Sequence, residues 1–256
     1  MKPVAFRYER PESIEEAVAL LAEHGDEAKV LAGGQSLVPM LNMRLARPTV
    51  IVDVNRLPLG DVARTNGSWH VGATVRQADP RLAEIPLLGQ CLPFVGHFVT
   101  RNRGTVGGSV AHADAAAELP LALTVLGGSI VTSAGRTIAA EEFFVTHFTT
   151  ALEPGELLVG TRWPAAQPDT RHAFEEFALR RGDFALCMAA AISGPNGLRV
   201  AVGSVVDRPT VIEIDPAHPG ASAAEQVEPW GTLHASAGYL RQLVRILVDR
   251  AVGRVT

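Results

Sequence analysis

With 256 residues, 47% hydrophobic and 20% charged, the chain has a globular composition and length for one large domain or two modest ones. A net charge of −4 with scattered arginines argues against a nucleic-acid surface, and no apolar run approaches the roughly 20 residues of a membrane span. Cys91 and Cys187 are too few and too far apart for a disulfide framework or for a zinc or iron–sulfur site on this chain, so no metal ligand is assigned. The N-terminus, MKPVAFRYERPES, lacks the pattern of a secretory signal, which makes the cytoplasm the expected compartment.

Val4 to Tyr8 reads as a short strand, and Ser13 with Glu16 forms a capping box ahead of a helix carrying Ala17, Val18, Leu20 and Leu21. Gly25 and Asp26 end that helix. A second strand, Lys29 to Ala32, runs into Gly33, Gly34, Gln35 and Ser36 before an apolar stretch from Leu37 to Leu45. Thr49 to Asp53 and Trp69 to Thr74 are further strand candidates, with Asn66 and Gly67 as a hairpin turn. Leu82 to Phe98 has helical spacing interrupted by Pro86 and Pro93.

The next stretch, RNRGTVGGSVAHADAAAELP (Arg101 to Pro120), packs Gly104, Gly107 and Gly108 closely before an apolar helix pattern. Glycines so close suit a backbone that turns sharply and brings bare N–H groups against an anion, with Thr105 and Ser109 adding hydroxyls. Phosphate is the expected guest. The Gly33 turn repeats this grammar of strand, glycine pair and hydroxyl, so two turns could clamp the two phosphates of one dinucleotide from opposite sides. Neither fits a nucleotide motif of the P-loop type, G-x-x-x-x-G-K-S/T, nor the Rossmann G-x-G-x-x-G.

Downstream, Ile130 to Thr132 and Leu157 to Trp163 read as strands, and AAQPDT (Ala165 to Thr170) as a domain boundary. Phe174 to Ala191 is a strand or helix pair and Leu198 to Val206 a strand. Pro216 to Pro229, rich in Pro, Ala, Gly and Ser, reads as loop. A helix from Ser236 to Val252 closes the pattern with an apolar stripe of Leu240, Leu243, Val244, Leu247 and Val248.

LAGGQSLVPMLNMRLARP (Leu31 to Pro48), the Arg101 to Pro120 stretch, FEEFALRRGDFALCMAAAI, GSVVDRP and HASAGYLRQLVRILVDRAV occur in the order of a known family. Together they resemble the FAD-binding medium subunit of the carbon monoxide dehydrogenase and xanthine dehydrogenase family of molybdenum hydroxylases, over almost the whole chain. The resemblance implies an α+β fold: a two-subdomain FAD-binding domain like that of vanillyl-alcohol oxidases over residues 1–164, with subdomains of about 1–54 and 55–164. A small C-terminal domain, residues 170–256, would hold a three-stranded sheet with helices.

It also implies FAD in this chain, with Ala32, Gly33, Gly34, Gln35, Ser36, Leu37, Thr105, Val106, Gly107, Gly108 and Ser109 at the pyrophosphate, chiefly through main-chain N–H groups. Glu118 would contact the ribityl or ribose hydroxyls; its alternative is a carboxylate at a helix N-terminus. Leu158 would give the flavin ring a main-chain contact, or be a plain core residue. Phe184 would lie over the isoalloxazine, or be a buried Phe at a domain joint. Glu175 and Glu176 stand where some relatives carry Lys. His112 and Asp114 suit loop hydrogen bonding better than metal binding. No catalytic acid, base or nucleophile is assigned.

The implied partners are a large subunit with the molybdenum cofactor and a small subunit with two 2Fe–2S clusters, in a heterotrimer that doubles by symmetry. FAD here would pass electrons to NAD, a quinone-linked carrier or oxygen. Two other readings stay open: a stand-alone FAD oxidoreductase with its own substrate, which the short stretch after Pro168 disfavours, and a scaffold without cofactor, which the two intact glycine loops disfavour.

Overall fold

The computed structural model describes residues 2–256. Near the N-terminus, strands Arg7–Glu9, Val50–Asp53 and Ala28–Leu31 form a parallel sheet with Val50–Asp53 in the centre. Val50, Ile51 and Val52 are all buried, as a central parallel strand requires. Helix Ile14–His24 crosses over the sheet and buries Ala17 and Leu21 against it. Ser13 caps this helix as its sequence predicts, accepting the Glu16 N–H at 3.1 Å, while the Glu16 carboxylate turns back to the Glu12 N–H.

A five-stranded antiparallel sheet follows, in the order Val62–Thr65, Ser68–Gly72, Leu158–Pro164, Ser129–Thr132 and Thr137–Ala139. Its first hairpin turns on Asn66 and Gly67, whose φ values of 50° and 74° are the left-handed pair that an Asn-Gly turn supplies. The helical pattern of Leu82 to Phe98 divides into a 3₁₀ turn, Pro80–Glu84, and a single helical turn, Leu88–Cys91. Pro86 and Pro93 explain the division, since neither can donate to a continuing helix.

The third sheet is an antiparallel meander of four strands, Arg171–Phe177, Cys187–Gly194, Gly197–Gly203 and the short edge strand Thr210–Ile212, where three were expected. Helix Ala237–Val255, capped by Ser236, packs against the sheet, and helix Glu118–Val125 contacts its second and third strands. With helices covering it, Cys187 to Ala191 is buried without alternation. Phe174, Met188, Ala190 and Ala201 thereby join the core built by the first two sheets.

The loop expected from Pro216 to Pro229 contains helix Pro219–Gln226 instead. Its small residues serve close approach: a Cβ on Gly220 would stand 2.1 Å from the Arg245 carbonyl oxygen, and the Gly220 N–H donates to Asp249 Oδ1 at 2.8 Å. Composition alone cannot distinguish small residues chosen for packing from small residues chosen for a turn. Gly220→Ala should therefore destabilise the protein by about 1–3 kcal/mol, as overpacking does, read from urea unfolding midpoints.

Candidate functional site

The first glycine turn joins strand Ala28–Leu31 to the short helix Leu37–Asn42. Gly34 takes φ 73°, a left-handed conformation that suits glycine. The Val38 N–H returns to the Gly34 carbonyl at 3.0 Å and the Gln35 amide closes on the Gly33 carbonyl at 3.0 Å. Among the described residues no acceptor in the chain takes the main-chain N–H groups of Gly33, Gly34, Gln35 and Ser36. Such a run of unspent donors, with Gly33, Gly34 and Ser36 half-buried and Gln35 exposed, has the character of an anion nest.

The second turn opens helix Val106–His112, with Thr105 as its N-cap accepting the Gly108 N–H at 3.0 Å. Here the main chain is committed inward. Val106 donates to the Val75 carbonyl at 2.9 Å, Gly107 to the Ala73 carbonyl at 3.1 Å and Ser109 to the Thr105 carbonyl at 3.1 Å. The main-chain N–H groups of Val106, Gly107, Gly108 and Ser109, expected to face phosphate, thus each have an acceptor within the chain. A Cβ on Gly107 would meet Ala73 at 2.6 Å, so this glycine exists for packing against a strand end. Donors left without an acceptor in the chain include the N–H of buried Thr105 and the Ser109 hydroxyl.

The two turns touch. A Cβ on Gly33 would lie 2.4 Å from the Arg103 carbonyl oxygen and 2.7 Å from the Gly104 Cα, and one on Gly108 would approach the Ala32 methyl at 3.3 Å. A polar bridge, which sequence reasoning missed, spans the junction. The Asn55 side-chain amide donates to the Ala32 carbonyl at 2.8 Å and accepts from Arg76 Nη2 at 2.7 Å, while Arg76 Nη1 donates to the Arg103 carbonyl. Buried Asp53 orients Asn55 through its Oδ1 and accepts the Tyr8 hydroxyl on Oδ2. Burial raises the Asp53 carboxyl, but the hydrogen bonds from Tyr8 and Asn55, with Arg10 nearby, outweigh it and hold Asp53 below its ordinary value.

Glu118 begins helix Glu118–Val125 and is 8% exposed, with no side-chain hydrogen bond among the described residues. Burial, then repulsion from Glu176, pushes its carboxyl up to about 8. Leu158 is a core residue. The bulged strand it begins reaches the second turn through Val159, whose carbonyl accepts the Ala73 N–H at 3.0 Å.

Glu175 and Glu176 alternate across their strand: Glu175 pairs with Arg254 at 2.8 Å, and Glu176 lines a cavity of about 390 Å³ with Phe94, Phe177, Arg180 and Arg181. Burial pushes the Glu176 carboxyl up to about 7. Phe184, in the loop beyond, is 73% exposed, which removes the buried-Phe alternative. Asp114 meets His147, whose Nε2 lies 3.4 Å from Asp114 Oδ1, and Phe148 stacks on His147 and packs against the His112 ring; no three ligands converge on a metal position among the described residues.

A family model described as the FAD binding domain in molybdopterin dehydrogenase matches residues 4–166. The chain belongs to this family. The alpha subunit of the 6-hydroxypseudooxynicotine dehydrogenase complex of Paenarthrobacter nicotinovorans is 36% identical, over 99% of this chain and 95% of that one. Caffeine dehydrogenase subunit beta from a Pseudomonas species is 40% identical over 78% of this chain and 71% of its own. Among solved structures, a carbon monoxide dehydrogenase from Hydrogenophaga pseudoflava that lacks the Mo-pyranopterin moiety of its molybdenum cofactor superposes with a TM-score of 0.94. That match has 30% identity and covers 100% of this chain and 98% of that one. The α+β fold and the membership in a class of oxidoreductase subunits both follow.

The residues fit the family's cofactor. A diphosphate needs donors, and the first turn holds consecutive N–H groups without acceptors. Sugar hydroxyls need an acceptor, and Glu118 is a buried carboxyl to which no other residue of the chain donates. The same burial sets a pH dependence in the flavin-free protein. Because Glu118 in the folded state keeps a proton that the unfolded chain has released, stability is full below 4.5 and falls as pH rises toward about 8. Glu118→Gln should flatten that fall, by on the order of a few kcal/mol at the alkaline end, in thermal unfolding across this range.

Proposed function

We propose that this chain is the FAD-carrying, electron-transferring subunit of a molybdenum hydroxylase. In this reading residues 1–164 form the FAD-binding domain and residues 170–256 a C-terminal domain that completes the flavin's surroundings. The supporting observation is the junction itself: a run of unspent N–H groups from Gly33 to Ser36 lies directly against the backbone of Arg103 and Gly104. The partners are a large subunit holding the molybdenum cofactor and a small iron–sulfur subunit, in a cytoplasmic heterotrimer or a dimer of heterotrimers. Among the described residues no helix is long and apolar enough to cross a membrane.

Bound FAD would supply an isoalloxazine able to take electrons singly and give them up in pairs. The chain's own contribution is binding and orientation. Gly33 to Ser36 donate main-chain hydrogen bonds to the diphosphate, with the Thr105 N–H and Ser109 hydroxyl facing it from the second turn. Glu118 accepts hydrogen bonds from the sugar-like hydroxyls, and its buried position lets it hold a proton near neutrality. Val159, hydrogen-bonded to Ala73, keeps the Leu158 main chain beside the second turn, and the exposed Phe184 ring offers a planar surface to the flavin. The chain needs no nucleophile of its own, because substrate oxidation belongs to the molybdenum subunit.

The full chain mixed with FAD should quench flavin fluorescence with one-to-one stoichiometry and release all flavin to the supernatant on acid precipitation. Expressed with its genomic neighbours, it should co-purify with chains carrying molybdenum and iron. Flavin that stays with the acid pellet, or turnover of a small substrate by this chain alone, would favour a stand-alone oxidoreductase. Gly33→Ala should weaken FAD binding by roughly tenfold or more, because the added methyl forces the two turns apart.

A further inference from the structure

The polar bridge between the turns has the geometry of a spacer. Asn55 spends its whole amide on it: Nδ2 donates to the Ala32 carbonyl at 2.8 Å and to Asp53 Oδ1 at 2.6 Å, and Oδ1 accepts from Arg76 at 2.7 Å. Arg76 in turn spans from Asn55 to the Arg103 carbonyl of the second turn. One unbroken chain of hydrogen bonds therefore runs from the carbonyl that precedes Gly33 to the carbonyl that precedes Gly104. Asp53, fixed from its other side by Tyr8, prevents the Asn55 amide from flipping, since a flipped amide would set oxygen against the Asp53 carboxylate and the Ala32 carbonyl.

The bridge is also electrostatically open. Among the described residues neither Arg76 nor Arg103 has a carboxylate within ion-pair distance. The Arg76 guanidinium thus stands at the junction of the turns with no carboxylate in contact, Asp53 acting on it only through space. A dianionic diphosphate is the chemistry that such a corner suits.

We propose that Asn55 and Arg76 act as one unit that sets the separation of the two glycine turns, making both of them positioning residues for the diphosphate of FAD. This rests on the FAD reading above. As one unit, the pair confers its effect only when both members are present, which a double-mutant cycle detects.

The test uses the full chain, FAD titrated by fluorescence quenching, and the thermal midpoint of each flavin-free protein. Arg76→Met and Asn55→Ala should each weaken FAD binding by about tenfold, and the double variant should bind no more weakly than the worse single one. Arg76→Lys, which keeps the charge but cannot span both acceptors, should stay weakened while retaining the wild-type midpoint. Should Arg76→Met fail to fold, Arg76→Lys paired with Asn55→Ser closes the same cycle. Losses that multiply in the double variant, or an Arg76→Lys protein with wild-type affinity, would overturn the spacer. If the wild-type chain binds no FAD, it is the FAD reading that fails, and the spacer for its diphosphate falls with it.

Discussion

Gly33 presses its bare α-carbon against the peptide that joins Arg103 to Gly104, at distances no side chain would permit. That contact decides most of what this molecule can do. It brings the turn that leaves the parallel sheet onto the loop that opens helix Val106–His112, so the candidate site lies where two separately built parts meet. Ligand sites favour such joints, because each part fixes its own half of the geometry while the gap between them stays concave.

The two turns divide the work unequally. The Gly33 turn keeps its N–H groups outward, while the Gly107 turn spends its own on Val75, Ala73 and Thr105 and so becomes a rigid wall. A strand end, an N-cap and the Asn55–Arg76 bridge all brace that wall. This is preorganisation in a concrete form: the cost of ordering the site is met in folding, before any ligand arrives.

Much of this was legible in the sequence where the governing chemistry is local. The Ser13 cap, the Asn66-Gly67 hairpin, the Ser236 helix and both glycine turns are short-range statements, and all appear where their residues indicate. The α+β class and the family resemblance hold as well. What the sequence concealed depends on partners far along the chain. Asn55 and Arg76 look like ordinary polar loop residues until the fold sets Ala32 and Arg103 on either side of them. Helix Pro219–Gln226 hides in a Pro- and Ala-rich stretch because its purpose is to fit against Arg245, more than twenty positions away. Gly107 carries a second constraint that its neighbours in the sequence do not reveal: its missing Cβ makes room for Ala73.

The most direct test of this division is amide hydrogen exchange across the two turns, with and without FAD. The N–H groups of Gly33, Gly34, Gln35 and Ser36 lack acceptors in the chain and should gain strong protection when FAD binds, while those of Val106 to Ser109, already bonded inside the fold, should change little. Protection that appears at Val106 to Ser109 and leaves Gly33 to Ser36 exchanging freely would contradict the account.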